Sequence, residues 1–224
     1  MELISTQKIE FLRGLVAEIT HNYATGRVIV AVDGIAGSGT EVFADAMAEV
    51  FRESGRETFR ASIEDFHRSR FDRHLEGADL PAGYYRDSYD YRTLRRVLID
   101  PFRMAGSTGF QTAAFSVATD AAVEARWQTA GANAVLIIDG VFLNRPELRG
   151  AWNYSVYLEV PWGVAYVRLA EQRAVDPDPN AESNARYRLG QDLYLAEAFP
   201  RGAASAIVDN TDPERPTREF ADSC

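Results

Sequence analysis

Apolar residues along the chain follow two rhythms that alternate from end to end. Short, nearly unbroken apolar runs occur at 27–32, 134–140 and 154–160, and these read as strands buried on both faces. Shorter runs at 57–63 and 206–209 read as further strands. Between them, apolar residues recur at three- and four-residue steps. The stretch 4–23 places Ile9, Leu12, Leu15, Val16 and Ile19 on one side, and 41–53 does the same with Val42, Phe43, Ala46, Met47 and Val50. Helices are likewise predicted over 91–98, 162–173 and 184–198. Strands alternating with helices predict a three-layer α/β fold, a parallel sheet with helices on both faces, in a single domain over 1–224. Three segments depart from the rhythm. Residues 69–90 read as a long irregular loop, 109–123 as a hairpin outside the main sheet, and 176–183 as a mobile connection. The tail after Asn210 is expected to fray.

The first buried strand runs straight into Asp33-Gly34-Ile35-Ala36-Gly37-Ser38-Gly39-Thr40-Glu41, and helix-forming sequence follows. Glycines between a strand and a helix let backbone N–H groups turn inward, and the helix dipole adds positive potential. Gly34 and Gly39 have the spacing of a phosphate loop, Gly-x-x-x-x-Gly. The lysine and the serine or threonine that complete that motif are replaced by Thr40 and Glu41. The stretch is either an anion cradle without its fixed cation or an ordinary strand-to-helix turn.

Composition narrows the choices. The net charge of −9 and the lack of a basic face or tail argue against nucleic acid or a membrane surface as partner. No apolar run approaches the ~20 residues that span a bilayer, so a cytoplasmic protein is expected. The single cysteine, Cys224, removes disulfides and thiolate catalysis from consideration. Lys8 is the only lysine, and every other basic residue is arginine. Lys8 falls on the predicted solvated side of the first helix, so any cation at the loop must be an arginine or a metal ion.

Two acids, Glu64 and Asp65, end the second strand, where open α/β sheets bind ligands, although strand-end carboxylates also simply face water. The aromatic run that contains Tyr84, Tyr85, Tyr89 and Tyr91 either lines a pocket for a planar ligand or braces its loop. Asp139 ends the most apolar strand, at a position where an aspartate orients magnesium in phosphate-loop enzymes or where Asp-Gly simply turns the chain. Arg168, Arg173, Arg186 and Arg188 flank the 176–183 segment, as arginines of a closing lid or as solvated surface charges. His21, His67 and His74 are too scattered to suggest a metal site. No nucleophile elbow occurs, which disfavours an α/β hydrolase.

Taken in order, these landmarks resemble uridine kinase and the phosphoribulokinase group of P-loop kinases over residues 27–212. The resemblance rests on the loop from Gly34 to Gly39, Glu-Asp-Phe-His-Arg at 64–68, Tyr-Tyr-Arg-Asp-Ser-Tyr-Asp at 84–90 and Ile-Asp-Gly-Val-Phe at 138–142. The arginine-bearing helix ending at Arg173 and the closing Asp209-Asn210 add to it. It implies transfer of a phosphoryl group from ATP, with Mg2+, to a hydroxyl of a nucleoside or similar small molecule. By the same resemblance, Glu64 stands where the catalytic base is expected, with Asp65 beside it. Gly34, Ala36, Gly37, Ser38, Gly39, Thr40 and Glu41 stand at the nucleotide, and His67, Tyr85, Asp87, Asp90 and Arg168 near the acceptor. Asp139 and Glu41 stand at the metal, and Arg173 in a lid over about 174–184. The acceptor side is expected over about 66–125, and a homo-oligomer is one possible arrangement.

The departures fall at the chemistry. Replacing the loop lysine by Thr40 and the hydroxyl residue by Glu41 is a two-unit charge swing facing a polyanion, worth several kcal/mol at a few ångströms and intermediate dielectric. Glu64 stands in place of the usual aspartate, and Ala174 follows Arg173 where an aspartate is common. Glu41, in the first turn of a helix, either folds back into the cradle as an internal anion, the favoured arrangement, or ligates magnesium. Two functions follow from these features: an active small-molecule kinase, or a pseudokinase that binds a nucleoside or a protein partner.

Overall fold

A computed structural model describes residues 2–75, 77–104 and 106–220. Cys224 lies outside them. Helix α1 (Gln7–Asn22) starts where the Thr6 hydroxyl accepts the Ile9 N–H. It buries Leu12, Leu15, Val16 and Ile19. Strand β1 (Val28–Gly34), buried throughout, leads through the glycine loop into α2 (Thr40–Glu53). Arg13 clamps α1 to α2 through both oxygens of Glu53, at 2.9 and 2.7 Å.

Strand β2 (Thr58–Ser62) is followed by a 3-10 turn (Ile63–Phe66), α3 (Arg70–Arg73), α4 (Pro81–Asp87) and α5 (Tyr91–Leu94). A π-helical turn (Arg95–Ile99) joins α5 to α6 (Asp100–Met104). Strands β3 (Phe115–Ser116) and β4 (Ala121–Ala122) form the predicted hairpin with very short arms. Then come β5 (Val135–Gly140), β6 (Tyr154–Glu159), α7 (Trp162–Gln172), α8 (Ala185–Ala198), α9 (Pro200–Ala203), β7 (Ala206–Asp209) and β8 (Thr217–Glu219).

The main sheet has the order β2-β5-β1-β6-β7-β8, parallel except for β8. One face packs on α1 and α2 through Val30, Val32, Phe43 and Met47. The other packs on α5, α6 and α8 through Ile29, Leu136, Leu98, Phe102 and Tyr194. These are the three layers that the alternation of strands and helices predicts. All parallel strands end on one edge, and the glycine loop, the 3-10 turn and the turn after β5 meet there.

The chain differs from the sequence reading in several local respects. Residues 69–90 contain two helices, because Ser69 caps α3, Pro81 opens α4, and α4 packs closely on α8. Gly190 permits that contact, since a Cβ there would lie 2.7 Å from the Pro81 carbonyl. The helix predicted over 91–98 continues past Pro101, because the Val97 carbonyl, which a proline nitrogen cannot satisfy, accepts the Gln111 N–H at 2.8 Å instead. The tail does not fray at once: β8 pairs with β7, and Arg218 bonds to Glu18 of α1. Lys8 is largely covered, its ammonium 3.6 Å from Glu214, and Val42 faces solvent.

Candidate active site

The loop after β1 is built for close approach. Gly37 and Gly39 have φ of +83° and +88°, in the left-handed region that favours glycine. A Cβ at Gly37 would sit 2.3 Å from the Ala165 carbonyl, and one at Gly34 would sit 2.3 Å from Ser38 Oγ. Gly39 caps α2 without a side chain, which leaves the first-turn amides of the helix to an outside acceptor. The loop is clamped from two sides. Asn210 Nδ2 donates to the Ser38 carbonyl at 2.7 Å, and the Ala36 N–H donates to Gln191 Oε1 on α8 at 2.6 Å.

Beneath the loop, buried Asp33 accepts from the amides of Gly34, Leu143 and Asn144, from Asn144 Nδ2 and from the Tyr194 hydroxyl. Burial outweighs these donors and pushes its carboxyl up to about 6. Asp33, Asn144, Gln191 and Tyr194 escaped the sequence reading. Asp33 read only as the strand end that leads into the glycine loop, and the other three reach the loop from more than 100 residues away.

Glu41 does not fold back into the cradle. Its side chain is exposed, and among the described residues it accepts no hydrogen bond from a loop amide. Its charge instead helps to raise the carboxyls of Asp139 and Asp65. Asp139, buried at the end of β5, accepts from Arg60 Nη2 at 2.8 Å, and Arg60 Nε reaches Asp45 at 2.8 Å. Burial lifts Asp139 to about 6 in spite of that partner. Among the described residues no three His, Cys, Asp or Glu side chains are grouped to hold a metal. With Asp139 committed to Arg60 and the loop hydroxyl replaced by Glu41, the donor set does not fit magnesium.

Glu64 and Asp65 sit on the 3-10 turn after β2, capped by Ser62. Tyr89 donates its hydroxyl to Glu64 Oε1 at 2.7 Å, and His67 Nδ1 lies 2.8 Å from the Glu64 carbonyl and 3.8 Å from its Oε2. Burial raises the Tyr89 hydroxyl well above its ordinary range, so it stays a donor. Asp65 is raised by lost hydration and by the neighbouring Glu64 charge.

A cavity of about 320 Å³ joins these parts. Its walls include Ala36 of the loop, Glu64, His67 and Tyr89 of the acid turn, and Arg173 at the end of α7. Arg73, Arg186, Tyr84 and Tyr166 also line it, and among the described residues the buried Tyr166 hydroxyl has no partner. The other predicted residues are engaged elsewhere. Tyr85 is buried under the Arg145 guanidinium, 4.8 Å away. Asp87 pairs with Arg68 at 3.1 Å, Asp90 caps α5 through Thr93, and Arg168 donates to the carbonyls of Asn210 and Thr211 at 3.0 and 2.8 Å.

No family model matches the chain, and no curated protein does. Solved structures do. A possible uridine kinase from Bacillus stearothermophilus is similar at 23% identity, with 89% of this chain and 96% of that one covered and a TM-score of 0.68. D-glycerate 3-kinase from Cryptococcus neoformans is similar at 11% identity, with 94% and 99% covered and a TM-score of 0.62. Phosphoribulokinase from Rhodobacter spheroides is similar at 12% identity, with 82% and 70% covered and a TM-score of 0.56. The chain therefore has the fold of the uridine kinase-like P-loop kinases over nearly its whole length.

Proposed function

We propose that this chain is a small-molecule kinase that transfers a phosphoryl group from ATP to a hydroxyl of its acceptor. The observation that carries this reading is the shared cavity, in which a loop at a helix head, the Glu64 carboxylate and three guanidiniums face one volume. Bound ATP would supply the phosphoryl group. The amides at the head of α2 donate to the phosphate oxygens. Glu64, oriented by Tyr89 and His67, takes the proton of the acceptor hydroxyl. Arg173 offsets the charge that the missing loop lysine would have met. No step is assigned to magnesium, because the residues in place do not fit it.

A second reading, a pseudokinase that binds without transfer, is favoured by one specific observation. The strand-end acid Asp139 is tied to Arg60, while Glu41 adds negative charge at the loop. The two readings separate in one experiment: coupled ATP turnover with a panel of nucleosides, sugar phosphates and hydroxy acids, run beside calorimetry of ATP and of each acceptor alone. Turnover with any acceptor supports the kinase. Acceptor binding with neither ATP binding nor turnover supports the pseudokinase.

A further inference from the structure

The cavity at Glu64 adjoins a second one. Arg73, Val117, Arg186 and Tyr187 line both, and the second, of about 340 Å³, extends between α3, the turn of the β3–β4 hairpin and the start of α8. Arg70 and His74 also line it. Arg186 Nη1 lies 3.2 Å from His74 Nε2, and burial together with the charges of Arg186, Arg73 and Arg70 holds the imidazole below its ordinary range. The imidazole is therefore neutral at pH 7 and accepts from Arg186.

The opposing charge is small. Asp120 Oδ1 is 3.7 Å from Arg73 Nη2 and accepts the Arg70 N–H at 2.8 Å, and Asp79 acts on His74 from a distance. Asp72 is occupied by the Ser69 hydroxyl. Among the described residues, three guanidiniums thus face one close carboxylate, in a chain whose net charge is −9. The Nε atoms of Arg73 and Arg186 are buried and, among the described residues, have no hydrogen-bond partner. A buried guanidinium N–H without an acceptor is costly, and an oxyanion is the ligand that relieves it.

We infer that the acceptor is a small hydroxylated oxyanion, a sugar phosphate or a hydroxy acid, with its phosphate or carboxylate held by Arg73 and Arg186 and its hydroxyl at Glu64. The inference rests on the proposed phosphoryl transfer for the role of the hydroxyl, and on the arginines alone for the anion. A neutral nucleoside could accept from the two Nε–H groups but would bring no charge to balance the guanidiniums.

The test is calorimetry on the full chain with ribose 5-phosphate, D-glycerate, ribose and uridine, without ATP. Ribose 5-phosphate or D-glycerate should bind at least tenfold tighter than ribose or uridine, and the preference should shrink in 0.5 M salt. Preference for the sugar phosphate identifies a phosphate subsite, and preference for glycerate a carboxylate subsite; either supports the inference. Arg73→Gln and Arg186→Gln should each weaken the preferred anion at least tenfold. Arg73→Lys and Arg186→Lys, which keep the charge and the fold, should weaken it by less.

Uridine or ribose bound as tightly as the anions would overturn the inference. So would glutamine variants that are folded and bind within twofold of the parent, which would place the anion on the glycine loop, or no binding of any probe at millimolar concentration. Anion binding through Arg73 and Arg186 without ATP turnover would defeat the kinase reading and leave the subsite standing. Turnover with uridine as the best acceptor would do the reverse.

Discussion

Arg60 and Asp139 form a pair across neighbouring strands, Nη2 to Oδ1 at 2.8 Å, with the carboxylate almost wholly buried and the guanidinium mostly so. Removing the cation leaves a buried charge without its partner, which costs far more than the pair itself contributes. Arg60→Leu should therefore lower stability at pH 7 by about 3 kcal/mol, the low end for buried pairs because Arg60 keeps some exposure. Urea denaturation would measure it. The loss should be smaller at pH 5, where Asp139 takes up a proton and no longer needs the cation. An equal loss at both pH values would mean that Arg60 acts through packing.

The pH dependence of the parent chain has a definite sign. Asp33 and Asp139 both titrate near 6 when folded, above the ordinary aspartate value, so the native state binds these protons more tightly than the unfolded chain. Their effect is a fall in stability as pH rises from about 4 to 6, level thereafter. Glu53 acts the other way: Arg13 and the Leu3 amide hold it down to about 2, so its contribution is lost as pH falls below about 4.5. The urea midpoint should be higher at pH 5 than at pH 7. Asp139→Asn, which removes one of the two titrating groups, should reduce that difference.

The layered fold was legible because its strands and helices carry unmixed periodic patterns, as in the buried run 28–32 and the apolar face of α1. The candidate site was legible only where neighbours in sequence remain neighbours in space. The glycine loop and the Glu64-Asp65 turn qualify. Gln191, Asn144 and Tyr194 reach the loop from distant segments, and no local pattern marks them. Asp90 and Arg168 show the reverse failure. A charged residue in a suggestive run looks the same in sequence whether it meets a ligand or caps a helix, and these two satisfy backbone groups.

Restoring the loop charge tests the cradle directly. Glu41 is exposed and engages no loop amide, so its effect on an incoming phosphate is repulsion rather than occupation. Thr40→Lys with Glu41→Thr should raise ATP affinity at least tenfold by calorimetry. Both positions lie in the first turn of α2 with little packing at stake, so stability should stay within about 0.5 kcal/mol of the parent. Unchanged ATP affinity in a folded variant would argue that the amides at the head of α2 do not receive phosphate.

Glu64, the proposed base, lines the cavity. Its carboxylate is half exposed, accepts from the Tyr89 hydroxyl at 2.7 Å and lies 3.8 Å from the His67 ring. A general base positioned in this way contributes about 10²–10⁴ in rate. With whichever acceptor the parent turns over, Glu64→Gln should lower kcat by about that factor while KM stays within about threefold. Tyr89→Phe keeps the ring packing on His67, 4.5 Å between centroids, and removes only the orienting hydrogen bond, so its loss in kcat should be smaller. A Glu64→Gln enzyme with parental kcat would remove the base from this carboxylate and shift attention to Asp65, the other acid on the same turn.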